Sequence, residues 1–523
     1  MAVILAYLCL SVVVMLLVLL TFLLSYSVVA HRYWKSNGVF SLEPQLFFGN
    51  AKSVVLQKEG MGMGMKHFYD TLKRNGLAFG GYYFLTRPIL VLADMKLIKD
   101  VLTTDFSHFV DHPFYIDEEK DPLSANLYSL QGEKWKTRRS KLAPAFSAGR
   151  LKIMFETIAK CCNQLTVVID ESAGRGNAID IMDIIANMGV DMIGSCAFGL
   201  DCNSFKNTNN KFKHFGLQFL HNTSKWRAFV FMLLFMFPDL SKKLKLTLNN
   251  KEMTDFFLQL VRDVAQHREE NNISRKDFMH SLLQIKNNVE ISETSLGSVM
   301  PSVRQEEDGA TIAEIAGHCF SFFVAGFEPF STTTSFCLYE LSLNTTLQDN
   351  LRKEINSVLD AHEGKLTYDA VMDMGLLDRC LKETLRKHSP ATSHIRLCTK
   401  PYKIPNSNLT LPIGTTVLIP AYGLHMDPKY YPNPEIFDPD RFSEENLAKR
   451  PAESWMPFGL GPRQCVSYLF GLLEMKAGLV TLLKRYRFSL HPSTKTPITM
   501  CPKNPVMYPS STIYLSAEKI SII

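Results

Sequence analysis

The chain has 523 residues, of which 46% are hydrophobic, 21% charged and 11% aromatic. This composition is typical of a globular protein and excludes a disordered, collagenous or low-complexity chain. The net charge of +6, from 57 basic and 51 acidic residues, is too small for a general nucleic-acid binder. The 11 cysteines form no paired Cys-x-x-Cys units, so neither a disulfide framework nor a zinc module is predicted.

The N-terminal segment predicts a membrane anchor. Residues 1–30 contain no Asp, Glu, Lys or Arg, and about 20 helical residues are enough to cross the core of a bilayer. A cleaved signal peptide is the alternative, but the segment lacks a positively charged start and is too long. Charged and aromatic residues follow immediately: His31, Arg32, Tyr33, Trp34 and Lys35. By the positive-inside rule the rest of the chain is expected on the cytoplasmic side, where thiols stay reduced.

Beyond the anchor, a connector over residues 31–50 precedes one folded body over residues 51–523. Strand-like runs at 80–85 and 88–93 come first, and amphipathic helical patterns dominate from 149 to 285. Alternating apolar runs between 401 and 420 indicate a small antiparallel sheet. The expected fold class is therefore mainly α, with a minor antiparallel β-sheet region and an N-terminal transmembrane helix.

One helix is expected at the centre of the body. Thr311 and Glu314 form a capping box ahead of an apolar run that would be helical for about 30 residues, or roughly 45 Å. Because the run is apolar nearly all round, we expect it to be buried. A second transmembrane span is the alternative. Its acidic residues, among them Glu328 and Glu340, make insertion costly.

The sequence around Cys465 predicts a metal-binding thiolate. A loop rich in glycine and proline, residues 457–465, presents Cys465 at the start of a helical pattern that runs to about residue 484. The amide dipoles of that helix and the charge of Arg463 would favour a thiolate. One thiolate without His or Cys neighbours cannot complete a zinc or iron–sulfur site, but it suffices as an axial ligand to a porphyrin iron. Haem is therefore the simplest interpretation.

This loop resembles the haem-binding signature Phe-x-x-Gly-x-Arg-x-Cys-x-Gly of the cytochrome P450 family. The match comprises Phe458, Gly461, Arg463 and Cys465, whereas Ser467 stands where the last glycine is expected. The resemblance implies a cytochrome P450-like catalytic domain over residues 51–523. It also implies haem b (iron protoporphyrin IX), with Cys465 as the iron ligand and the other matched residues as haem contacts.

Two further motifs extend the resemblance. Glu383 and Arg386 lie three residues apart on one predicted helix, which alone would contribute little. The family joins such a pair to an arginine in a Pro-x-Arg-Phe segment, and Arg441 supplies it here. The resemblance implies that these three charges form a structural network behind the haem.

A Trp-x-x-x-Arg motif places Trp135 and Arg139 on one helix face, where both could meet a haem propionate. The resemblance implies a second propionate contact from Arg396. The same helix carries a basic stripe, which consists of Lys134, Arg138 and Lys141. The stripe is either a solvated face or, as the resemblance implies, the docking surface for an acidic electron-transfer partner.

The long helix departs from the family pattern at residue 329. The family carries a threonine after the acidic residue of Ala-Gly-x-[Asp/Glu], and its hydroxyl helps to deliver protons to the oxygen that is activated. Here Glu328 is followed by Pro329, which has no such group and costs about 3 kcal/mol in an ordinary helix. A helix already kinked at this point would accept the ring, in which case only the chemistry changes. Glu328 and Thr332 are the candidates to replace the lost hydroxyl, and weaker coupling of oxygen activation to product is expected.

The resemblance is strongest to the insect microsomal branch that handles hormones and foreign compounds. It implies a monooxygenase of the endoplasmic reticulum (microsomal) membrane that oxidises lipophilic molecules with O2. Electrons would come from NADPH–cytochrome P450 reductase, with cytochrome b5 as an additional candidate donor. Because of Pro329, a haem-thiolate isomerase or dehydratase and a poorly coupled ligand-binding haem protein remain alternatives.

The substrate itself is not predicted beyond its lipophilic character. Three segments are expected over the haem: 106–127, 389–395 and 498–506. The last two offer no carboxylate-binding pair. The first ends in an acidic run over residues 117–121, which on its own is typical of a solvated turn.

Overall fold

Helices dominate the structure and small sheets complete it, which confirms the predicted fold class. The computed structural model describes residues 1–173, 177–206, 210–220, 225–287, 310–504 and 506–520. Their α-helices are, in chain order, α1 (Ala2–Ala30), α2 (Tyr33–Ser36), α3 (Lys52–Val55), α4 (Met61–Arg74), α5 (Met95–Lys99), α6 (Gly132–Leu142), α7 (Ala148–Ser172), α8 (Ile181–Ile193), α9 (Lys211–Leu220), α10 (Lys225–Met236), α11 (Pro238–Leu244), α12 (Lys251–Glu270), α13 (Phe278–Lys286), α14 (Ile312–Leu343), α15 (Thr345–Ala361), α16 (Tyr368–Met372), α17 (Gly375–Lys387), α18 (Ala421–His425), α19 (Glu444–Leu447) and α20 (Tyr468–Arg485).

The strands of the described residues form three small sheets. They are β1 (Phe79–Phe84), β2 (Arg87–Leu92), β3 (Ile179–Asp180), β4 (His394–Leu397), β5 (Tyr402–Lys403), β6 (Thr410–Leu411), β7 (Thr416–Ile419), β8 (Tyr486–Leu490) and β9 (Tyr514–Lys519). The sheet orders are β1-β2-β7-β4, β3-β9-β8 and β5-β6. The chain divides into two units. The first comprises Met1–Pro113, Thr392–Leu424 and Leu460–Pro462, and the second Phe114–Ala391, His425–Gly459 and Arg463–Ile523.

In the first unit, α1 is an apolar helix whose side chains are almost all exposed, as a membrane anchor requires. Just after it Trp34 is fully buried, and its backbone N–H donates to the hydroxyl of Tyr83 at 2.8 Å. A Cβ at Gly81 would come within 2.2 Å of the Trp34 ring, so this position in β1 needs glycine. The segment that follows the C-terminal end of α1 is thus attached to the first sheet.

The prediction of one antiparallel sheet over residues 401–420 was partly wrong. β5 and β6 pair as expected, but β7 joins the larger sheet, where it runs parallel to β2 and antiparallel to β4. All four residues of β7 are buried. An apolar run of this kind is typical of a strand covered on both faces, and its parallel partner lies too far away in sequence to be inferred from local pattern.

In the second unit, α14 is the central helix. Thr311 and Glu314 form the predicted capping box, in which the Glu314 N–H donates to the Thr311 hydroxyl at 3.1 Å. The helix packs against α8, α12, α17 and α20 and is buried along most of its length. Among the residues that the structure describes, two stretches are long and apolar enough to cross a membrane, Ile4–Ser36 and Ile181–Phe198. The second is 83% buried inside the structure and is a core helix, whereas the first is exposed.

Candidate functional site

The loop before Cys465 is closed by backbone hydrogen bonds. The Cys465 N–H donates to the carbonyl of Phe458 at 2.9 Å, and Gly459 adopts a left-handed φ of 74°. Gly461 is also left-handed, and a Cβ there would lie 1.9 Å from the carbonyl oxygen of Leu102. Glycine is therefore required at 461 by the packing of the loop. α20 begins three residues after the cysteine, as the sequence predicted.

The electrostatics of the thiol differ in one respect from the expectation. Burial raises the pKa of Cys465, while hydrogen bonding from Ser467 and the charge of Arg139 act in the opposite direction. The hydroxyl of Ser467, which stands at the last glycine position of the signature, lies 3.7 Å from the sulfur and interacts with it. The sequence predicted that the charge of Arg463 would favour the thiolate. In the structure, the cation whose charge favours it is Arg139.

Arg463 is held by other groups. Its guanidinium stacks on the indole of Trp135, 3.9 Å from the ring centroid, and donates to the carbonyls of Leu127 and Leu130 at 2.9 and 2.8 Å. Arg463 thus positions α6 and the segment before it. Sequence reasoning assigned the thiol to Arg463 because it lies two residues from Cys465, and the approach of Arg139 from a distant helix is not visible in local sequence.

On α6, Trp135 is buried, and burial also lowers the pKa of the Arg139 guanidinium. The structure therefore brings Trp135, Arg139, Arg463 and Cys465 together within the second unit. Arg396 belongs to the first unit, where it lies on β4 with its Nη1 atom 3.0 Å from the Nε2 atom of His112.

Glu383, Arg386 and Arg441 form a buried charge network. Both carboxylate oxygens of Glu383 accept from Arg386 at 2.7 Å, and the Nε atom of Arg441 lies 3.3 Å from the same carboxylate. Arg386 also donates to the backbone carbonyls of His425 and Pro434. Since Glu383 and Arg386 are fully buried, this arrangement fixes α17 against the loop that leads to Arg441.

The basic stripe on α6 is partly neutralised by the chain itself. Lys134 pairs with Glu118, and Arg138 donates to Glu314 at 2.6 Å. Lys134 remains exposed, whereas Arg138 is largely covered. The stripe is thus neither a purely solvated face nor a row of three fully available cations.

Around Pro329 the long helix is unbroken, since α14 runs from Ile312 to Leu343 with the proline inside it. Glu328 is 1% exposed and Thr332 is fully buried. Within the described residues the Thr332 hydroxyl has no hydrogen-bond partner. The helix therefore accommodates the proline, and it keeps both candidate proton carriers inside the second unit.

Next to this helix lies a cavity of about 330 Å³. Its lining comes from residues 114–129, from α9 and α10, from residues 246–249 and from α14, and is mostly apolar; examples are Phe114, Phe219, Phe231, Phe320, Val324 and Ala325. The expected segment 106–127 contributes its second half. Among the described residues, segments 389–395 and 498–506 contribute none. The aromatic residues of α9 and α10 went unrecognised because apolar positions on a helix look the same whether they face a core or a cavity.

The acidic run at 117–121 is not simply a solvated turn. Asp121 is 2% exposed and accepts hydrogen bonds from Ser124, Leu248 and Asn249. Asp117 lines the cavity, while Glu118 pairs with Lys134. The carboxylate of Asp121 satisfies backbone donors that lie more than a hundred residues away, a relation that local sequence does not reveal.

The donor set fits a haem better than a metal ion bound by side chains alone. Among the described residues no group of three or more His, Cys, Asp or Glu side chains could hold a metal ion. A single thiol at the start of a helix, with an arginine and an indole beside it, instead suits one axial ligand and the anionic edge of a porphyrin. The helical fold and this site are those of the haem-thiolate class.

Comparison with known proteins agrees. The family model described as cytochrome P450 matches residues 41–517, and the chain belongs to the cytochrome P450 family, whose members are haem-containing monooxygenases. The chain is 37% identical to probable cytochrome P450 6a23 of Drosophila melanogaster over 494 residues, 94% of this chain and 95% of that protein. It is 36% identical to cytochrome P450 6A1 of Musca domestica over 492 residues, 93% and 94% of the two chains. It is 38% identical to cytochrome P450 6k1 of Blattella germanica over 499 residues, 94% of each. The predicted likeness to insect members is confirmed.

Proposed function

We propose that this protein is a membrane-bound monooxygenase that inserts one atom of O2 into lipophilic small molecules, with haem b as cofactor. The observation that carries the proposal is the presence, in one unit, of the Cys465 thiol beside Arg139 and of a largely apolar cavity along α14. NADPH supplies the electrons through cytochrome P450 reductase, with cytochrome b5 as an additional candidate donor.

Each site residue has a role in holding the cofactor. Cys465 is the ligand to the iron, and the loop residues Phe458, Gly461 and Arg463 keep the thiol in place. Trp135 and Arg139 would bind one propionate, and the family resemblance assigns Arg396 to the other. When bound, haem supplies the activation of oxygen, and a thiolate ligand favours O–O cleavage by donating electron density.

The cavity supports a lipophilic substrate. Aromatic and aliphatic side chains form most of its wall, and the carboxylate of Asp121 is occupied by hydrogen bonds within the chain. Insect hormones, foreign compounds and insecticides are the proposed substrate classes. A binding-spectrum screen with a steroid-like hormone, a fatty acid and an insecticide tests this point. The absence of a binding shift with all three compounds would contradict it.

The proposed location is the endoplasmic reticulum membrane. Residues 1–30 form the anchor, residues 31–50 the connector, and residues 51–523 one catalytic domain on the cytoplasmic side. The exposed apolar helix α1 and the basic, aromatic residues after it support this arrangement. The basic stripe of α6 is the proposed docking surface for the reductase, with Lys134 as its most exposed cation.

Pro329 favours two further candidates. The second candidate is a haem-thiolate isomerase or dehydratase. The third candidate is a haem protein that binds ligands with poor coupling of oxygen activation to product. In each of these, the hydroxyl that Pro329 lacks is not needed. Reconstitution with the reductase distinguishes the candidates. Oxygen uptake with formation of an oxygenated product supports the monooxygenase, and conversion of a hydroperoxide without any reductant supports the isomerase. Ligand binding with peroxide as the main product supports the third candidate.

A further inference from the structure

Two cavities of the second unit share one wall. The cavity along α14 has a volume of about 330 Å³, and a second cavity of about 330 Å³ lies beside it. Leu248 and Asn249 line both. The second cavity is more polar, since Gln218, Arg227 and Asn250 contribute to it. The separation between the two spaces therefore depends on how these two shared residues are held.

A compact set of hydrogen bonds holds them, which we call the Asp121 knot (Asp121, Ser124, Leu248 and Asn249). The backbone N–H groups of Leu248 and Asn249 donate to one carboxylate oxygen of Asp121 at 2.8 and 3.1 Å. The Asn249 amide nitrogen donates to the other oxygen at 2.8 Å and to the Ser124 hydroxyl at 3.0 Å. The Ser124 hydroxyl in turn donates to Asp121 at 2.9 Å.

These bonds are buried and involve a charged acceptor, so they are stronger than ordinary hydrogen bonds. Asp121 is 2% exposed and Asn249 is 7% exposed. The influence of the carboxylate also reaches the second cavity. Burial lowers the pKa of Arg227 to about 10, and the charge of Asp121 acts against that decrease. The knot thus holds residues 248 and 249 against Asp121 and Ser124, which both line the first cavity.

We propose that the Asp121 knot determines the length of substrate that the enzyme accepts. With the knot closed, the Asn249 side chain completes the wall and confines a ligand to the first cavity. With that side chain removed, the two spaces join and about twice the volume becomes available. Asp121 and Asn249 are therefore positioning residues for specificity. The inference rests on the proposed function, since it concerns the substrate cavity of that same site.

A series of n-alkylimidazoles of increasing chain length tests the proposal on the full-length, haem-loaded protein. Binding is measured from the shift of the Soret band. In the wild type the dissociation constant should fall about fourfold for each added methylene until the first cavity is full, and then stop falling. In Asn249→Ala it should keep falling for several further methylenes. The longest ligand should then bind at least tenfold more tightly to the variant than to the wild type.

Thr247→Ala is the matched control. Thr247 lines the second cavity but not the first, so truncation of its side chain should leave the limiting chain length unchanged. A wild type without a limit, or an Asn249→Ala variant with the wild-type limit, would overturn the proposal. If even the shortest ligand gives no Soret shift, the proposed function fails and this inference fails with it.

Amide hydrogen exchange gives an independent readout of the knot. Asp121→Asn removes the charge from the acceptor with little change in shape. The amides of Leu248 and Asn249 should then exchange at least tenfold faster, while the N–H of Met253, which donates to Asn250 at 2.8 Å, should not change. Unchanged exchange at 248 and 249 would show that the knot does not hold the wall, whatever the ligand series gives.

Discussion

The loop before Cys465 and the helix around Pro329 match the family pattern to different degrees. In the loop, Phe458, Gly461, Arg463 and Cys465 all match the family signature. These residues also hold the loop in its conformation, through backbone hydrogen bonds, close packing at Gly461 and the contacts of Arg463. In α14 the expected threonine is replaced by Pro329, yet the helix remains continuous. The residues that match the signature thus also hold the loop in place, whereas α14 accommodates its departure from the family pattern without a break in the helix.

The two regions also differ in how their polar groups are satisfied. Glu383 and Arg386 of the buried charge network are fully buried and saturated by hydrogen bonds. In α14, the hydroxyls of residues 332–335 are buried and have no hydrogen-bond partner within the described part of the chain. A buried hydroxyl without a hydrogen-bond partner lowers stability, because its loss of hydration is not compensated. Changes near the loop should therefore affect the fold or the cofactor, and changes in α14 mainly the reaction.

The largest effect is expected from Cys465→Ser. Because a hydroxyl does not provide the thiolate ligand, the shifted Soret band of the reduced, carbon monoxide-treated protein should disappear completely. Cys161→Ser on α7 is the matched control and should retain the band. A Cys465→Ser variant with the wild-type band would show that another residue holds the iron.

Removal of the buried carboxylate in Glu383→Gln should destabilise the protein by about 3–5 kcal/mol, because two arginines lose their counter-charge in the interior. Unfolding by denaturant, followed by circular dichroism, measures the loss. Glu445→Gln removes an exposed partner of Lys449 and should change nothing measurable. Equal stability of the two variants would contradict the structural role of the network.

His318 on α14 should make stability depend on pH. Burial lowers its pKa to about 4, and the charge of Arg138 adds to the decrease. Since the unfolded chain takes up this proton near pH 6.5 and the folded chain does not, stability is complete above pH 6.5 and is lost as the pH falls toward 4. The contribution is about 3 kcal/mol.

His318→Gln should flatten the profile of unfolding free energy between pH 6.5 and 4. The matched control is His67→Gln, because the side chain of His67 is 63% exposed. An unchanged slope in His318→Gln, or the same flattening in both variants, would contradict the assignment.

The smallest effect is expected from Thr332→Val, which removes a buried hydroxyl and keeps the shape of the side chain. If Thr332 helps to carry protons, product formation should fall by less than about tenfold, since general acid–base groups in ideal positions contribute more. The melting temperature should not fall, because the hydroxyl has no partner within the described residues. Thr333→Val is the control, and an equal loss of product in both variants would exclude a specific role for Thr332.

The sequence correctly predicted the structural features that depend on residues close together in the chain. The capping box of Thr311 and Glu314, the strands β1 and β2, and the helix after Cys465 follow from local pattern, and all three are present. Long-range relations were missed. Asp121 meets Leu248 across 127 residues, so an acidic run that seemed solvated proved to contain a buried acceptor.

Side-chain direction was the second limit. Arg463 lies two residues from Cys465 in sequence, but the structure shows that its side chain stacks on Trp135, while Arg139 from the distant helix α6 acts on the thiol. The same limit explains why the cavity-lining residues of α9 and α10 were not predicted. An apolar helix position predicts burial, and it does not indicate which space the side chain faces.

The difference between the two regions is tested most directly by an oxygen balance for the wild type and Pro329→Thr, reconstituted with the reductase. NADPH consumption, peroxide release and product are measured together for one bound substrate. The wild type should release most of its reducing equivalents as peroxide, and Pro329→Thr should raise the ratio of product to peroxide by about tenfold. A wild type that couples fully, with no gain in Pro329→Thr, would contradict the account.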